Sequence, residues 1–234
     1  MIFGLTDDIV FPPPQLARED GLLAIGGDLS EERLILAYSM GIFPWYAEGD
    51  PILWWSPDPR LILELNELHI SRRLARIIKQ EIFEITCDTV FPEVIRSCSK
   101  LRPGKEQGTW IMPEMVEAYC RLHELGYAHS VECWLNKELV GGLYGVSLGK
   151  VFFGESMFSK VSNSSKVALV YLVKLLRNWE FNVIDCQLKS DHLVSLGAKE
   201  ISGWEFRQRL KQFVHVDEFL GKWECDVSSG DVLL

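Results

Sequence analysis

Two polar side chains stand in an apolar stretch near residue 185, where their chemistry would be hydrogen bonding and proton acceptance. The sequence NVIDCQ alternates Asp185 and Gln187 with Val183, Ile184 and Cys186. Because successive side chains of a strand point to opposite faces, Asp185 and Gln187 are predicted to share one face. Burying both is unfavourable unless they are hydrogen-bonded, so the pair favours a functional site, although partnered polar groups can also be structural.

A second carboxylate follows a strand of bulky aromatic residues. In FFGESMFSKVSNSSK, the strand is expected to end at Gly154, which leaves Glu155 and Ser156 in a polar loop. A carboxylate directly after a strand is a reasonable site residue, since loops often carry binding and catalytic groups. The alternative is that Glu155 only caps or bridges neighbouring loops.

Two aromatic segments complete the candidates. Residues 41–60, GIFPWYAEGDPILWWSPDPR, carry Trp45, Trp54 and Trp55 among prolines and turn residues, and Trp110 lies just before a predicted helix start. Exposed aromatic rings can stack on bases, with about 1–3 kcal/mol per base. The simpler interpretation is a small aromatic core in the first segment and a lid on a core edge at Trp110.

The elements that must position these residues fall into two parts. The first 60 residues contain seven of the ten prolines. Proline removes backbone donors, so residues 1–60 are predicted to form a small loop-rich N-terminal domain around one helix, Ser30 to Met40. Ser30 suits the N-cap of that helix and Gly41 its end. Residues 61–234 form the second predicted domain.

The second part shows regular periodicity. Strands are predicted near residues 82–87, 128–135, 138–148, 150–154 and 182–187, and helices near 71–78, 92–99, 113–125, 164–177, after 191 and at 204–213. An antiparallel meander followed by a long helix and a further strand is an α+β arrangement. A GNAT-like (acyl-CoA N-acyltransferase-type) sheet has this order.

Net charge argues against a protein that is coated in nucleic acid, since phosphate binding normally needs a basic surface. The 24 Lys and Arg against 33 Asp and Glu give a net charge of -9. Residues 71–106, however, hold 8 Lys and Arg against 5 Asp and Glu. This stretch begins with Arg72, Arg73, Arg76 and Lys79 on one polar helix face, which is either merely solvated or a contact for phosphates.

Cysteine and histidine spacing argues against a metal site. None of the six cysteines forms a C-x-x-C pair, and the five histidines show no H-x-x-x-H or H-E-x-x-H spacing. Several cysteines lie in apolar patterns, so buried reduced thiols in a cytoplasmic protein are predicted rather than disulfides. Neither a signal peptide nor a membrane span is expected, because the N-terminus has no basic leader and the longest apolar run is short.

Taken together, these segments resemble the bacterial leucyl/phenylalanyl-tRNA–protein transferases. The matching stretches are GLLAIGGDLS, GIFPWY, DPILWWSPDPR, GTWI, EAYCRLHELGYAHSVE, LVGGLYGV, FFGESMFS and IDCQLKSDHLVSLGA. The resemblance runs from Gly21 to Ala198, and the residues on either side match less well.

The resemblance implies an activity, a fold and partners. Members of the family transfer leucine or phenylalanine, and less readily methionine, from aminoacyl-tRNA to the N-terminal Arg or Lys of a protein, which marks it for degradation through the N-degron route. The implied fold is a small N-terminal domain plus a GNAT-like catalytic domain. No cofactor is implied, and a cytoplasmic monomer is expected.

The resemblance also implies residue roles. Asp185, Gln187 and Glu155 match the catalytic centre. Asp185 would orient the attacking amine, directly or through Gln187, and help remove its proton, while Glu155 would hold the substrate end and give electrostatic support. Three positions match the pocket for the aminoacyl side chain, namely Leu143, Phe152 and Leu172. Trp45 and Trp110 match contacts to the terminal adenosine. The charge distribution, rather than the resemblance, suggests that Arg72, Arg73, Arg76 and Lys79 would contact phosphates of the tRNA acceptor stem.

Two other functional hypotheses are compatible with parts of the sequence. A CoA-dependent N-acetyltransferase would use the same sheet type, but the stretch GESMFSKVSNS between strand and helix lacks the Q/R-x-x-G-x-G/A loop that holds pyrophosphate. A non-enzymatic aromatic module for RNA ends or peptides would give Asp185 and Gln187 little purpose inside a strand.

Overall fold

The computed structural model describes residues 2–100, 111–215 and 221–225 and shows a mixed α/β fold. The predicted site residue Trp110 lies outside the described residues. The strands are β1 (Phe3–Leu5), β2 (Leu22–Gly26), β3 (Phe43–Pro44), β4 (Leu53–Trp55), β5 (Arg60–Glu64), β6 (Glu84–Cys87), β7 (Ala128–Leu135), β8 (Glu138–Leu148), β9 (Val151–Ser159), β10 (Val183–Gln187) and β11 (Lys199–Ile201). The helices are α1 (Glu31–Ser39), α2 (Arg72–Lys79), α3 (Phe91–Ser99), α4 (Pro113–Glu124), α5 (Ser164–Asn178), α6 (Asp191–Val194) and α7 (Gly203–Phe213).

The strands form a small sheet near the N-terminus and a larger one from β5 onward. The small sheet has the order β1-β2-β4-β3, and the larger sheet has the order β11-β5-β10-β9-β8-β7-β6. In the larger sheet β10 runs parallel to β9 and antiparallel to β5. Parallel neighbours need a crossover connection, and α5 supplies it between β9 and β10.

β9 and β10 pair over only part of their length. Val151 to Phe153 of β9 lie opposite Val183 to Asp185 of β10, whereas β9 continues to Ser159 beside β8. The β8–β9 pair carries a β-bulge at Tyr144 and Gly145. A Cβ atom at Gly145 would collide with the Phe153 carbonyl oxygen, so glycine permits this close approach. The separation of β9 from β10 leaves space in the centre of the sheet.

The central strands send alternate side chains into two hydrophobic clusters. Phe153 and Val183 belong to a cluster that also contains residues of α1, α3 and α4. Phe152 and Ile184 belong to a second cluster with much of α5. Each fully buried aliphatic or aromatic side chain of this kind contributes about 1.5–3 kcal/mol. The sheet is therefore held between α1, α3 and α4 on one face and α5 on the other.

The predicted helices at 30–40, 71–78, 92–99, 113–125 and 164–177 are confirmed as α1 to α5 within one or two residues at their ends. The four short strands β1 to β4 were not predicted, because proline and glycine signals hide strands of two to five residues. β5 and β11 were also missed. The division of the chain at residue 60 stays a prediction, since one hydrophobic cluster includes residues from both sides of it.

The sequence analysis predicted that Glu155 lies in a polar loop, and this prediction is wrong. β9 does not end at Gly154 but runs to Ser159, because the pairing with β8 resumes beyond the bulge at Ser156 and Met157. Glu155 therefore lies within a strand and its carboxylate is enclosed by protein groups.

The prediction that all cysteines are reduced is wrong for one pair. Cys87, at the end of β6, forms a disulfide with Cys225, 138 residues later in the chain. Trp223 brings Cys225 there: its backbone N–H donates to Asp88 Oδ2 at 2.7 Å and its ring stacks on His129 at 3.9 Å. Spacing along the sequence cannot reveal a contact between such distant segments.

Candidate active site

A cavity of about 420 Å³ lies where β9 and β10 separate. This volume is within the usual range for small-molecule sites, which is about 300–1,000 Å³. Its lining is mostly apolar and comes from β8, β9, β10, α5, α6 and the segment around β3. The lining residues are Phe43, Pro44, Trp45, Leu63, Leu143, Tyr144, Phe152, Gly154, Glu155, Ser156, Met157, Leu169, Leu172, Ile184, Cys186, Gln187, Leu188, Ser190, His192 and Leu193.

The apolar wall contains all three residues predicted for a side-chain pocket. Leu143 of β8, Phe152 of β9 and Leu172 of α5 line the cavity together. Each is almost fully buried, at 3%, 1% and 1% exposure. Leu169 and Ile184, which sequence reasoning did not single out, extend the same wall. The cavity therefore presents a continuous surface for an apolar group.

The aromatic segment 41–60 divides between core and cavity. Trp54 is fully buried, and its Nε1–H donates to Gly26 O at 2.9 Å, so it has the structural role that the simpler interpretation gave it. Trp45 lines the cavity and is 39% exposed. Its carbonyl oxygen accepts a hydrogen bond from Trp55 Nε1, and the two rings lie 5.5 Å apart. Trp45 alone of these three rings reaches the cavity.

Neutral donors surround the Glu155 carboxylate. Tyr38 Oη donates to its Oε1 at 2.7 Å, Gln187 Nε2 donates to the same oxygen at 2.7 Å, and Tyr119 Oη donates to Oε2 at 3.1 Å. Burial raises the pKa of Glu155 to about 7, because the loss of water outweighs the effect of these hydrogen bonds. Glu155 also forms part of the cavity wall, so it can meet a ligand there.

Tyr38 and Tyr119 are functional candidates that sequence reasoning missed. Tyr38 comes from α1 and Tyr119 from α4, both are buried, and their hydroxyl groups are in hydrogen-bond contact with each other. Burial raises the pKa of both phenols well above the usual value, so they stay protonated at neutral pH. On amphipathic helices a buried tyrosine looks like any other core aromatic, so the pattern alone gave no signal.

Gln187 departs from regular strand geometry. The β10–β5 register contains a β-bulge between Asp185 and Gln187, and Gln187 has φ +62°. A non-glycine residue in this left-handed region costs of order 1–3 kcal/mol, and such strain is found often at functional sites. Because of the bulge, the regular alternation predicted for β10 breaks: Gln187 reaches the cavity wall with Ile184 and Cys186, whereas Asp185 does not.

Asp185 lies behind the cavity wall in a closed ion pair. Arg60 Nε donates to Asp185 Oδ1 at 2.8 Å and Arg60 Nη2 donates to Oδ2 at 2.6 Å, with both side chains buried. Asp185 Oδ1 also accepts the backbone N–H of Gln187 at 2.9 Å. The rings of Phe43 and Phe206 lie 4.9 Å and 4.8 Å from the guanidinium carbon. Arg60 was missed because its partner is 125 residues away.

The four basic residues of α2 lie elsewhere on the surface. Arg72, Arg73, Arg76 and Lys79 are exposed, and none lines the cavity. Ser71 caps this helix by accepting from Leu74 N at 3.2 Å. Leu74 and Ile78 bury the other face of α2. The predicted amphipathic helix with one cationic face is thus present.

Comparison with known proteins decides what this site belongs to. The model of the leucyl/phenylalanyl-tRNA protein transferase family matches residues 62–211, and the model of that family's N-terminal domain matches residues 27–58. The chain belongs to this family. Its resemblance in motifs to the leucyl/phenylalanyl-tRNA–protein transferases is thereby confirmed.

Curated members of the transferase family cover nearly the whole chain. The leucyl/phenylalanyl-tRNA–protein transferase of Syntrophobacter fumaroxidans is 54% identical over 96% of this chain and 97% of its own length. That of Nitrosospira multiformis is 56% identical over 97% and 98%. Among solved structures, L-PGS from Bacillus licheniformis is similar at a TM-score of 0.38 and 14% identity, over 80% of this chain and 64% of that chain.

In this leucyl/phenylalanyl-tRNA protein transferase family member, the cavity brings together most of the predicted site. Glu155, Gln187, Trp45 and the three apolar pocket residues line it, and Asp185 supports it from behind. No group of three or more His, Cys, Asp or Glu side chains in the described part of the chain is arranged to hold a metal ion. No helix within those residues is both long and apolar enough to cross a membrane.

Proposed function

We propose that this protein transfers leucine or phenylalanine, and less readily methionine, from aminoacyl-tRNA to the N-terminal Arg or Lys of acceptor proteins. The product is marked for degradation through the N-degron route, and the enzyme works in the cytoplasm as a monomer. Membership of the transferase family supports the reaction type. The observation that carries the proposal is the cavity, which combines an apolar wall with Glu155 and Gln187.

The reaction is aminolysis of an activated ester, so it needs neither ATP nor CoA. The enzyme must hold a neutral amine about 3–3.5 Å from the ester carbonyl carbon and assist departure of the ribose oxygen. An apolar wall of Leu143, Phe152 and Leu172 accepts the side chain of leucine, phenylalanine or methionine, since one methylene changes affinity by only about 1–3 kcal/mol. Such a wall rejects charged side chains.

The polar end of the cavity positions the reacting groups. Gln187 holds the amine or the ester through its amide, and Asp185 acts on it indirectly, because both Asp185 oxygens are already bonded to Arg60. The bond from Asp185 Oδ1 to the Gln187 backbone N–H supports this indirect role. Glu155 holds the substrate end and responds to its charge.

The remaining contacts bind the tRNA. Trp45 packs on the terminal adenosine at the cavity, which its 39% exposure permits, and Trp110 is its proposed second contact. Arg72, Arg73, Arg76 and Lys79 contact phosphates of the acceptor stem without reading bases. These exposed cations offset the overall acidity locally.

The proposal includes a small domain of residues 1–60 and a GNAT-like catalytic domain of residues 61–234. The antiparallel β7–β8–β9 meander supports this architecture. So does the crossover through α5 to a parallel β10 that separates from β9 beyond Phe153.

The deciding experiment is transfer of radiolabelled leucine from Leu-tRNA to a peptide that begins with Arg. We expect product with Arg- and Lys-starting peptides and none with the same peptides after N-acetylation. The absence of product under conditions in which the Nitrosospira multiformis relative is active would refute the function.

Two substitutions on one helix test the role of the cavity. Leu172→Trp fills cavity space, so transfer should fall at least about 100-fold, the order expected when a substrate is displaced from its reactive position. Leu176→Trp, one turn later on α5, is buried outside the cavity wall. It should cost about 1–3 kcal/mol of stability by overpacking but retain transfer. Equal loss of transfer in both folded variants would contradict the assignment of the cavity.

A further inference from the structure

Three oxygen-bearing side chains form a closed ring beside the cavity. Tyr38 Oη lies 2.7 Å from Glu155 Oε1, Tyr119 Oη lies 3.1 Å from Glu155 Oε2, and the two hydroxyl groups are in hydrogen-bond contact with each other. The ring is thus made of three contacts between oxygen atoms. Each contact needs one proton to be a hydrogen bond.

The number of protons in this ring depends on the protonation state of Glu155. Two tyrosines supply two protons, which serve two of the three contacts when Glu155 is ionised: both phenols donate to the carboxylate. When Glu155 is protonated on Oε2, a third proton completes the ring: Glu155 donates to Tyr119, Tyr119 to Tyr38, and Tyr38 to Oε1. Gln187 Nε2 donates to Oε1 in either state. Uptake of one proton by Glu155 therefore turns the contact between the two phenols into a hydrogen bond and completes the ring.

We infer that Glu155 is the proton acceptor for the attacking amine and that Tyr38 and Tyr119 are positioning residues that hold it ready for one proton. This inference rests on the proposed function. Burial raises the pKa of Glu155 to about 7, near the pH at which a general base is most effective.

In this reaction one proton moves from the attacking amine to the leaving ribose oxygen through Glu155. The neutral α-amine of the acceptor attacks the ester carbonyl carbon, a C–N bond forms, and one N–H proton passes to the Glu155 carboxylate. The tetrahedral intermediate then collapses, the C–O bond to the ribose breaks, and the proton passes from Glu155 to the leaving ribose oxygen. The products are a peptide bond and a tRNA with a free terminal hydroxyl, and Glu155 returns to its ionised form.

Other titratable groups around Glu155 are less suitable as the acceptor. Asp185 has both oxygens bonded to Arg60 and is absent from the cavity wall. Its negative charge contributes to the raised pKa of Glu155. Tyr144, from β8, is a buried phenol whose pKa is raised well above the usual value, so it does not accept a proton. His192 lines the cavity from α6, whereas Glu155 is the group that the ring of hydroxyls holds.

The test measures single-turnover transfer from Leu-tRNA to an Arg-starting peptide between pH 5.5 and 8.5. The acceptor amine also titrates in this range, so the informative quantity is the ratio of the wild-type rate to the Glu155→Gln rate, in which that titration cancels. We expect a ratio of about 100 or more above pH 8, falling about tenfold per pH unit below about 7.

Matched variants separate a proton-accepting role from a structural one. Glu132→Gln alters a buried glutamate outside the cavity and should leave transfer within about twofold of wild type. Tyr119→Phe removes one donor to Glu155 and should move the midpoint of the profile upward by about one pH unit, since bonds to a charged acceptor are the stronger ones. Tyr46→Phe removes a similar bond from Tyr46 to Glu114 and should leave the midpoint unchanged.

Each outcome has a definite meaning. A ratio that stays constant with pH, or a Glu155→Gln rate within tenfold of the wild-type rate above pH 8, would overturn the inference while the proposed function stands. If Tyr119→Phe left the midpoint of the pH profile unchanged, the positioning role of Tyr119 would be overturned. If the wild-type protein transfers nothing, the proposed function fails first and this inference fails with it.

Discussion

Two glutamates of the larger sheet, Glu132 and Glu155, have carboxyl groups with raised pKa values but differ in their access to the cavity. Glu132 on β7 accepts hydrogen bonds from Ser130 Oγ and Thr86 Oγ1, and Glu155 on β9 accepts them from two tyrosines and an amide. Burial raises the pKa of each to about 7. Glu132 is fully enclosed, whereas Glu155 forms part of the wall of the cavity.

The difference between the two glutamates separates burial from function. A raised pKa records only that a carboxyl group has lost water and gained no cation. A functional carboxyl group must also have access to a cavity and a neighbour that can contact substrate. Glu155 meets both conditions, because it lines the cavity and is bonded to Gln187, which lines it too. Glu132 therefore serves as an internal control for every experiment on Glu155.

Asp185 sharpens the comparison, because its carboxylate is held by a cation rather than by hydroxyl groups. Arg60→Leu would leave Asp185 buried without its partner, which should cost about 3–5 kcal/mol in the free energy of unfolding. Urea denaturation measures this loss. The double variant Arg60→Leu/Asp185→Asn removes both charges and should recover most of it. If the free energy of unfolding of Arg60→Leu lay within 1 kcal/mol of the wild-type value, the Arg60–Asp185 pair would not be shielded from water.

The pH dependence of stability tests the glutamates without any substrate. Because their folded pKa is about 7 and the unfolded value about 4.5, the native state binds more protons than the unfolded state between these pH values. Their contribution to stability is therefore fully present below pH 4.5 and is lost as pH rises through 7. Each group accounts for about 3 kcal/mol as an upper limit.

We expect Glu132→Gln to flatten this decline more than Glu155→Gln does. The reason is that Glu132 is fully enclosed, while the cavity gives Glu155 partial access to water. Urea denaturation of the three proteins at pH 5, 6, 7 and 8 provides the measurement. A larger flattening in Glu155→Gln would contradict the expectation that the more enclosed glutamate contributes more to the pH dependence of stability.

The smallest effect is expected far from both glutamates, at the exposed cations of α2. Replacing Arg72, Arg76 and Lys79 by Gln would remove three of the proposed phosphate contacts, so the slope of log affinity against log salt should fall by about 2–3. Stability and the Glu155 pH profile should not change. Filter binding of tRNA at several salt concentrations gives the slope. The control replaces three other exposed lysines, Lys137, Lys211 and Lys222, and the patch would be refuted if both triples gave equal slopes.

The sequence predicted much of the larger sheet and its helices. Long periodic segments such as Glu138–Leu148 and Ser164–Asn178 were predicted because the apolar pattern there repeats over many residues. Strands of two to five residues, such as β3 and β11, were not predicted, because so few residues cannot show an alternation of polar and apolar side chains. The end of β9 was misplaced since Gly154 suggested a stop where the pairing with β8 in fact resumes.

The candidate site was predicted in its members but not in its arrangement. The motifs of the transferase family pointed to Leu143, Phe152 and Leu172, and all three line one cavity. Arg60 and Tyr38 had no signal, because each acts on a partner more than 100 residues away along the chain. Such contacts depend on how elements pack.

The sequence by itself determined the family, the long elements and the presence of polar residues where an apolar strand should continue. Those follow from local patterns and from motifs that lie within a few residues of one another. Only the tertiary structure decided which carboxylate meets the cavity: the bulge in β10 sends Gln187 to its wall and leaves Asp185 with Arg60. The environment of a charge is set by groups from distant segments, so burial and partners determine its chemistry more than its place in the sequence does.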